Sequence, residues 1–335
     1  MTAQLTGAAD LRRLGYAFAE AKLLLTAVEL DLFSALARGP ATAAELAAEL
    51  DLHPRGVPHF LAALTALGLL AESDGRYRNT EVAAEFLVRD RLSFLGGFLA
   101  RADRMLYPAW QHLGQALRTG VPQHRAPLSA VMAEPAELRR FLAMMDAVNG
   151  PLAPALAEAF PWAEHRTVAD IGGARGNLLG RLAQAHPGLS GAVFDLPAVK
   201  AEAEQHLAGL GVADRVRFEP GDFFTDPLPR AEVLVFGHVL HNWSPAQRVA
   251  LLRKAHEAVE PRGAVLVYDA MLGDPAELGP LIVSLNMLLV TEGGAEYSAR
   301  DCAGYLRDAG FTPVSAVPLG ARDTLVVARR AEILD

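Results

Sequence analysis

Seven short β-rich segments, most of them separated by helical patterns, follow Trp162, and this alternation constrains the fold more than any other feature of the sequence. Strands that alternate with helices form a mostly parallel sheet with helices on both faces. The last two segments are joined only by Pro318 to Arg322, which is too short for a parallel crossover, so we expect them to pair antiparallel. The C-terminal part is therefore predicted to be a doubly wound, seven-stranded α/β domain. The predicted strands are 167–171, 191–195, 215–219, 232–236, 264–269, 311–317 and 323–329.

The first 150 residues show a different, almost entirely helical pattern. Apolar residues recur at a helical period from Leu14 to Leu36, and Gly39-Pro40 ends the run. Thr42-x-x-Glu45 is a capping box that opens the next helix. A further helix runs from Pro54 to Gly68, and a hairpin follows around the turn Ser73-Asp74-Gly75. This order of helices and hairpin is that of a winged-helix domain.

The charge of this module argues against DNA binding, although many winged helices bind DNA. Between Ala41 and Asp90 there are four Arg or Lys residues and eight Asp or Glu residues, and the whole chain carries a net charge of −8. Binding to a DNA groove requires Lys and Arg side chains facing phosphates. An apolar helix face is better explained by packing against another chain. We therefore expect a dimerisation domain at 1–95, a helical linker or lid at 96–162 and the α/β domain at 163–335, with a repressor as the alternative.

Several classes of protein are excluded by composition. Cys302 is the single cysteine, so neither an internal disulfide framework nor a cysteine-rich zinc site is expected, and we predict no metal. The longest apolar run, 281–290, is far shorter than the roughly 20 residues of a membrane span. Asp10, Arg12 and Arg13 precede any apolar run, which is unlike a signal peptide. These features predict a cytoplasmic protein with no membrane partner.

Polar and small residues follow the first three predicted strands, where a doubly wound sheet binds its ligands. The first strand leads into a turn rich in glycine, Asp170-Ile-Gly-Gly-Ala-Arg-Gly176, which allows close approach of a ligand to the backbone. Asp195 follows the second strand and can accept hydrogen bonds from ribose hydroxyls. Asp222 and Phe223 follow the third and suit an adenine amino group and ring. Together these residues favour an adenosine-containing ligand over three ordinary polar turns.

His241 follows the fourth strand in the sequence Leu240-His-Asn-Trp243. A histidine at a ligand-facing strand end can act as a general base, although a lone one is more often a structural hydrogen-bonding group. Asp269 at the next strand end, or Glu296 in a later loop, can bond the far imidazole nitrogen and fix its tautomer. An oxidoreductase that uses a nicotinamide cofactor is a further reading, but the glycine turn departs from the G-x-G-x-x-G pattern at Ala174 and Asn177.

The ordered motifs resemble those of a known family. The turn Asp170–Gly176, Phe194-Asp-Leu-Pro197, Gly221-Asp-Phe-Phe224, Leu240–Trp243 and Gly293-Gly-x-Glu296 are similar to those of the S-adenosylmethionine-dependent O-methyltransferases of the plant caffeate type. Bacterial relatives of these enzymes modify aromatic natural products, polyketides especially. The resemblance implies a Rossmann-like methyltransferase domain, an N-terminal winged-helix dimerisation domain and a homodimer. It also implies S-adenosylmethionine as the cofactor.

The resemblance assigns roles to individual residues. His241 matches the general base, and Asp269 and Glu296 match the acidic residues that flank it. We expect an acceptor pocket between the sheet edge and the helical segments. The predicted cofactor-binding residues are Gly172, Gly173, Asp195, Leu196, Asp222, Phe223 and Gly237. The predicted acceptor-pocket residues are Trp110, Met144, Met145, Asn242 and Met287.

Three positions depart from the family pattern. Ala174-Arg175 interrupts the usual Gly-Gly-Gly-Thr-Gly turn, Asn242 replaces the usual aspartate after the histidine, and Gly237 replaces a Lys or Ser that often touches the cofactor. The retained His241 favours base-assisted methylation of a phenolic hydroxyl on a small aromatic acceptor. The alternatives are a methyltransferase that acts on nitrogen or carbon, a protein of the same fold with diverged chemistry, and a regulator with a nucleoside-sensing domain.

Overall fold

A computed structural model describes residues 5–91, 93–123 and 128–330, which form two compact units. The N-terminal unit ends at Tyr107 and the C-terminal unit begins at Pro108, so the division falls within the segment 96–162. Residues 1–4 and 331–335, at the two ends of the predicted domains, lie outside the described residues.

The N-terminal unit combines helices with a small antiparallel sheet in the order β1-β3-β2. The predicted capping box is present, since the Thr42 hydroxyl accepts from the Glu45 N–H at 3.2 Å and the Glu45 carboxylate accepts from the Thr42 N–H at 2.7 Å. The predicted hairpin is also present, with positive φ at Asp74 and Gly75 as a tight hairpin turn requires. The elements are α1 (Ala8–Glu29), α2 (Leu32–Ala37), β1 (Ala41–Thr42), α3 (Ala43–Glu49), α4 (Val57–Ala66), β2 (Leu70–Ser73), β3 (Arg76–Asn79), α5 (Glu81–Phe86) and α6 (Gly96–Arg101), followed by a π-helical turn at Ala102–Leu106.

The apolar run from Leu14 to Leu36 forms two helices rather than a continuous one. Asp31, between α1 and α2, adopts a left-handed conformation with φ of 56°, which ends the first helix. The apolar residues Val28, Leu32 and Phe33 are buried in the core of this unit, whereas Leu14 and Phe18 are 56% and 59% exposed in the single chain. The first half of α1 therefore presents large apolar side chains that this unit does not cover.

The C-terminal unit alternates strands and helices after an initial group of helices. Its helices are α7 (Tyr107–Trp110), which spans the unit boundary, α8 (Leu113–Thr119), α9 (Leu128–Ala133), α10 (Pro135–Asn149), α11 (Leu152–Ala159), α12 (Asn177–Ala185), α13 (Lys200–Gly209), α14 (Pro245–Ala258), α15 (Leu278–Val290) and α16 (Ala299–Asp308). Its strands are β4 (Thr167–Ile171), β5 (Ser190–Asp195), β6 (Val216–Pro220), β7 (Ala231–Gly237), β8 (Val259–Asp269), β9 (Phe311–Leu319) and β10 (Asp323–Arg330). Short 3₁₀ turns lie at Trp162–Glu164, Pro197–Val199 and Leu240–Asn242.

The seven strands within residues 128–330 form one sheet in the order β6-β5-β4-β7-β8-β10-β9. Within this sheet β4 to β8 pair in parallel, and β10 pairs antiparallel with both β8 and β9. This confirms the predicted doubly wound sheet and its antiparallel last pair. Because the strand order reverses beside β4, the carboxyl ends of β4 and β7 flank a crevice of the kind in which such sheets bind ligands.

Both faces of the sheet are buried. Val233 and Val235 on β7 belong to one apolar cluster, whereas Leu234 and Phe236 belong to the other, as the two-residue period of a strand requires. Helices cover each cluster, so both faces of the sheet are shielded from solvent. Over the residues that the structure describes, no helix combines the length and apolarity needed to cross a bilayer.

Candidate active site

The turn after β4 is made from glycine and alanine in left-handed conformations. Gly172, Ala174 and Gly176 have φ of 71°, 51° and 79°. A Cβ at Gly173 would lie 2.6 Å from the Asp170 carboxyl group, so this turn has no room for a side chain there. Ala174 carries a Cβ in this conformation, which costs about 1–2 kcal/mol. The surrounding contacts must hold it in place.

Asp195, at the end of β5, supplies one of those contacts. Its carboxylate accepts the Ala174 N–H at 2.7 Å and the Leu196 N–H at 2.7 Å. Burial raises the pKa of Asp195, although these two backbone hydrogen bonds act in the opposite direction. The carboxylate predicted to hold a ribose is therefore fixed against the glycine turn, with lone pairs remaining for a ligand.

The segment after β6 carries the predicted adenine site. The Asp222 carboxylate accepts the Phe224 N–H at 2.8 Å, which fixes this turn. The Phe223 ring packs edge-on against the Trp243 ring, with 5.8 Å between the ring centres. On its other side, Phe223 would lie 3.7 Å from a Cβ placed on Gly172. Phe223 thus contacts an aromatic cluster on one side and approaches the glycine turn on the other.

A cavity opens at the carboxyl ends of β4 and β7. Gly172, Gly173 and Gly237, three of the predicted cofactor residues, line it, and a Cβ at Gly237 would lie 2.0 Å from the Tyr268 ring. Met145 also lines the cavity. The remaining lining residues are Asp146, Asn149, Asp170, Ala174, Asn177, Leu178 and Tyr268.

Three polar contacts around this cavity had no signal in the sequence. Arg175 donates from Nε to Asp146 on α10 at 2.6 Å, which ties the glycine turn to that helix. The His238 ring lies between Asn149 on α10 and Asp323 on β10, with 2.8 Å from a ring nitrogen to an oxygen of each. These contacts join residues that are 29, 89 and 85 positions apart, which no local pattern reveals.

Asp170 is a buried carboxyl group within this cavity. Burial raises its pKa from 3.8 to about 7, and the nearby Asp195 charge adds to the effect. An unfolded Asp170 ionises near pH 4, so the folded chain binds this proton more tightly than the unfolded chain does. The stability contributed by this group therefore falls as the pH rises from about 4 to about 7.

Asp170→Asn is consequently expected to weaken the pH dependence of stability. Between pH 5 and pH 8, we expect the loss of unfolding free energy to be smaller in the variant than in the unmodified protein by about 2–4 kcal/mol. Urea unfolding of both proteins without ligand, at each pH, measures this difference. Equal losses in the two proteins would contradict the prediction.

His241 is brought together with both predicted acidic neighbours. Its Nδ1 lies 2.6 Å from Glu296 Oε1 and 3.5 Å from Asp269 Oδ1, and all three residues are buried. An ionised carboxylate only accepts hydrogen bonds, so in the neutral imidazole Nδ1 carries the proton and Nε2 is left with a lone pair. The Tyr297 hydroxyl donates to the other oxygen of Asp269. Glu296 is thus the direct hydrogen-bond partner of His241.

The carboxylates also change the acidity of this group of residues. Burial by itself would lower the pKa of His241, but the charges of Asp269 and Glu296 outweigh it and raise the pKa above its ordinary value. Burial raises the pKa of Asp269 to about 6. Asp269 Oδ1 and Glu296 Oε2 have no hydrogen-bond partner among the described residues. The imidazole therefore lies in an environment that favours taking up a proton.

Gly293 and Gly294 allow the loop of Glu296 to reach His241. A Cβ at Gly294 would lie 2.6 Å from the His241 carbonyl oxygen and 2.4 Å from the Thr291 hydroxyl. The Glu296 N–H donates to Ser284 on α15 at 3.1 Å, which fixes the other side of the loop. Because Gly293 and Gly294 have no side chains, their loop can pass close to the backbone of His241, and this allows the 2.6 Å contact between Glu296 and the imidazole.

Gly294→Ala is expected to separate Glu296 from His241. The new methyl group meets backbone atoms, which cannot rotate away, so the loop must shift; we expect about a 10-fold fall in kcat and about 1–3 kcal/mol of destabilisation. Steady-state kinetics with thermal unfolding measures both quantities. The exposed Gly279→Ala, where a Cβ has no neighbour within 4 Å, is the matched control. A Gly294→Ala variant with unchanged kcat would show that the close approach of Gly294 to the His241 backbone is not needed for activity.

The predicted acceptor-pocket residues occupy several places in the C-terminal unit. Met144 is buried on α10. Trp110 donates from its indole to Asn286 on α15 at 2.7 Å, next to Met287. The Asn242 amide donates to the carbonyls of His238 and Val239, within its own turn. Of the predicted acceptor residues, the described cavity is lined by Met145 alone, so the grouping of all five around an acceptor stays a prediction.

Within the described residues, no cluster of three or more His, Cys, Asp or Glu side chains is arranged to hold a metal ion. Cys302 is buried as a free thiol, and burial raises its pKa.

Comparisons with known proteins agree with both units. A model of the O-methyltransferase domain matches residues 110–312, and a model of the O-methyltransferase dimerisation domain matches residues 13–89. The tetracenomycin polyketide synthesis 8-O-methyl transferase TcmO of Streptomyces glaucescens is 44% identical over 329 residues, covering 97% of each chain. The N,N-dimethyltransferase OxyT of Streptomyces rimosus is 41% identical over 313 residues, covering 91% of this chain and 90% of the relative. The crystal structure of human N-acetylserotonin methyltransferase in complex with SAM superposes with a TM-score of 0.90 at 28% identity, covering 99% of this chain and 100% of that one.

Proposed function

Because the chain belongs to the S-adenosylmethionine-dependent O-methyltransferases, we propose that it methylates a phenolic hydroxyl of a small aromatic natural product. In this proposal His241 is the general base. The observation that carries it is the 2.6 Å contact between His241 Nδ1 and Glu296, which leaves Nε2 free to accept a proton.

The residues at the sheet edge fit the cofactor. Gly172 and Gly173 leave space where side chains would collide with Val239 and Asp170, and the Asp170 carboxyl group lines the same cavity. We propose that these glycines hold the methionine part of S-adenosylmethionine, whose ammonium group suits a neighbouring carboxylate.

The adenosine part of the cofactor is assigned to the next two strand ends. We propose that Asp195 and Leu196 hold the ribose and that Asp222 and Phe223 hold the adenine. Asp195 is fixed by two backbone N–H groups and keeps further lone pairs, as a carboxylate that accepts from ribose hydroxyls must. Gly237, at the end of β7, completes the proposed set because it lines the same cavity, where its missing side chain leaves room for the Tyr268 ring.

When bound, S-adenosylmethionine supplies an electrophilic methyl group on a sulfonium. A phenol has a pKa near 10, so at neutral pH it is a poor nucleophile until its proton is removed. His241 takes this proton at Nε2, while Glu296 holds the proton on Nδ1 and stabilises the imidazolium that forms. Asp269, 3.5 Å from the same nitrogen, adds a second negative charge. General-base assistance of this kind is worth about 10²–10⁴-fold in rate.

We further propose that the acceptor lies among Trp110, Met144, Met145, Asn242 and Met287. Methionine side chains adapt to flat aromatic ligands and contact ring edges favourably. Met145 already lines the cavity, and the indole of Trp110 is fixed beside Met287 through Asn286. The relative TcmO, named for methylation of a polyketide, supports an aromatic polyketide as the acceptor class.

The test is incubation of the protein with methyl-labelled S-adenosylmethionine and matched aromatic acceptors that carry a hydroxyl, an amine or neither. We expect label in the hydroxylated compounds, recovered as a methyl ether. Transfer to none of them, together with no binding of the cofactor by calorimetry, would refute the proposed function.

Methylation of nitrogen is the second candidate. OxyT, named as an N,N-dimethyltransferase, is 41% identical over most of the chain, so overall similarity does not separate the two acceptor atoms. Label found only in the amine-bearing compounds would favour this candidate and would remove the need for a base that ionises a phenol.

A second copy of the chain is the proposed partner of the N-terminal unit. Leu11, Leu14, Tyr16 and Phe18 on α1 are each at least 56% exposed, an unusual number of large apolar side chains for one helix face and its edges. The dimerisation-domain model covers these positions from residue 13 onward. Sedimentation velocity at micromolar concentration tests the proposal, and a monomer under those conditions would contradict it.

A further inference from the structure

Arg248 is an arginine buried inside the C-terminal unit. It lies in the first part of α14 and is only 2% exposed. Removing a guanidinium from water is costly unless its N–H groups find acceptors. Among the described residues no carboxylate lies within 4.0 Å of it, so Arg248 is not one half of an ordinary ion pair.

The acceptors of Arg248 are backbone carbonyls at both sides of the candidate active site. Its Nε donates to the Leu240 carbonyl at 3.0 Å, and its Nη2 donates to the Ala295 carbonyl at 2.5 Å. Leu240 immediately precedes His241 in the chain, and Ala295 immediately precedes Glu296. One rigid side chain therefore binds the two backbone segments, 55 residues apart, that carry the two members of the hydrogen-bonded pair.

Aromatic rings hold the guanidinium in place. It lies 4.3 Å from the centre of the Tyr297 ring and 5.5 Å from that of Tyr305, within the distance of a cation–π interaction. The Tyr305 hydroxyl also lies 3.4 Å from Nη1. Since the Tyr297 hydroxyl donates to Asp269, the same ring connects Arg248 to the third residue of the site.

We propose that Arg248 is a positioning residue that sets the separation of His241 from Glu296 by binding the carbonyl that precedes each of them. The inference rests on the proposed function of that pair. The planar fork of arginine spans two acceptors at once, whereas a lysine ammonium presents all its donors from a single nitrogen. The arrangement thus requires the shape of the guanidinium as well as its charge.

The positive charge of Arg248 also acts on the imidazole. The ionisable groups around His241 are Asp269, Glu296, Arg248 and the stacked ring of His238, whose centre is 5.8 Å away. Arg248 lowers the pKa of His241 and so moderates the opposite effect of the two carboxylates. Asp301, near the start of α16, is a further charged group that interacts with Arg248.

Two substitutions separate the positioning of the His241–Glu296 pair from the effect of the Arg248 charge. Arg248→Met removes both the charge and the fork, so we expect the pKa of His241 to rise. Arg248→Lys keeps the charge and loses the fork, so the pKa should change little. In both variants we expect kcat to fall about 10-fold, because the pair loses its alignment, with little change in the KM for the cofactor.

Histidine ring NMR titration of the full chain without cofactor measures the pKa of His241 directly. The same spectra report the Nδ1 proton shared with Glu296, whose downfield resonance should weaken or move in both variants. Arg253→Met is the matched control, because Arg253 is on the same helix but exposed, and its hydrogen bond is to Asp308. We expect the control to leave the pKa, the Nδ1 resonance and kcat unchanged.

An unchanged Nδ1 resonance and kcat in Arg248→Lys would overturn the proposal, even if Arg248→Met does not fold. An unchanged pKa of His241 in a folded Arg248→Met would overturn the electrostatic part. Failure of the proposed function looks different. In that case the unmodified protein methylates no hydroxyl, while the NMR comparison still decides whether Arg248 positions the pair.

Discussion

Replacing His241 with alanine should lower kcat about 10²–10⁴-fold at saturating cofactor and acceptor. The loss follows from removing the nitrogen that accepts the hydroxyl proton, because the phenol then has to ionise without assistance. Affinity for S-adenosylmethionine should stay within a few-fold, since the side chains proposed to bind it lie at the ends of β4, β5 and β6, and Gly237 at the end of β7 has no side chain. Stopped assays with labelled cofactor and calorimetric titration measure the two quantities.

His53→Ala is the matched control for this variant. His53 is an exposed histidine in the N-terminal unit, so its loss should change neither kcat nor cofactor binding. An unchanged kcat in His241→Ala would mean that alignment of acceptor and cofactor is sufficient, and that His241 has only a structural role.

Replacing Asp195 with alanine should weaken cofactor binding on the order of 100-fold. A hydrogen bond to a charged group contributes about 1.5–3 kcal/mol, and the variant loses the ribose acceptor together with the group that fixes the Ala174 and Leu196 amides. Calorimetry with S-adenosylmethionine measures the dissociation constant. Asp195→Asn keeps the shape and one acceptor oxygen, so its dissociation constant should lie between those of the unmodified protein and Asp195→Ala.

Glu204→Ala is the corresponding control, because Glu204 is an exposed carboxylate on the helix that follows β5. It should bind the cofactor as the unmodified protein does. If Asp195→Ala bound with the same affinity as this control, the assignment of the ribose site would be wrong, and the adenosine part would have to lie elsewhere along the sheet edge.

Much of the fold follows from local sequence signals. The capping box at Thr42 and the hairpin turn at Asp74-Gly75 depend on contacts within three residues. The buried strands read as short apolar runs because helices cover both sheet faces. The end of β4 is equally visible, since small residues such as Gly172, Gly173 and Gly176 are needed wherever the backbone must approach a ligand closely.

The side-chain contacts between residues at different strand ends could not be predicted from the sequence. Motif resemblance placed Glu296 near His241, but only the structure shows that Glu296, rather than Asp269, makes the short contact. Arg248 looks like an ordinary polar residue of an amphipathic helix, and its burial is decided by two distant carbonyls. The left-handed turn at Asp31, which divides the first apolar run, was likewise missed, because the helical period of apolar residues continues across it.

The pH dependence of activity should reflect the ionisation of the buried His241 imidazole. Because the carboxylates hold the pKa of His241 above its ordinary value, a larger fraction of the imidazole is protonated at neutral pH than for an exposed histidine. A protonated imidazole cannot accept a proton, so turnover is lost as the pH falls through that raised pKa. Asp170 and Asp269, whose pKa values burial raises to about 7 and about 6, ionise as the pH rises toward neutral, and each ionisation lowers the stability of the folded chain.

Single-turnover rates for a series of ring-substituted phenols, whose pKa values run from about 7 to about 10, test most directly whether His241 removes the acceptor proton. At one fixed pH, the unmodified protein should show a shallow dependence of rate on phenol pKa, because the enzyme supplies the base. His241→Ala should react well only with the most acidic phenols, and its rate should fall steeply as the phenol pKa rises. Parallel dependences in the two proteins would contradict the role of His241 as the base.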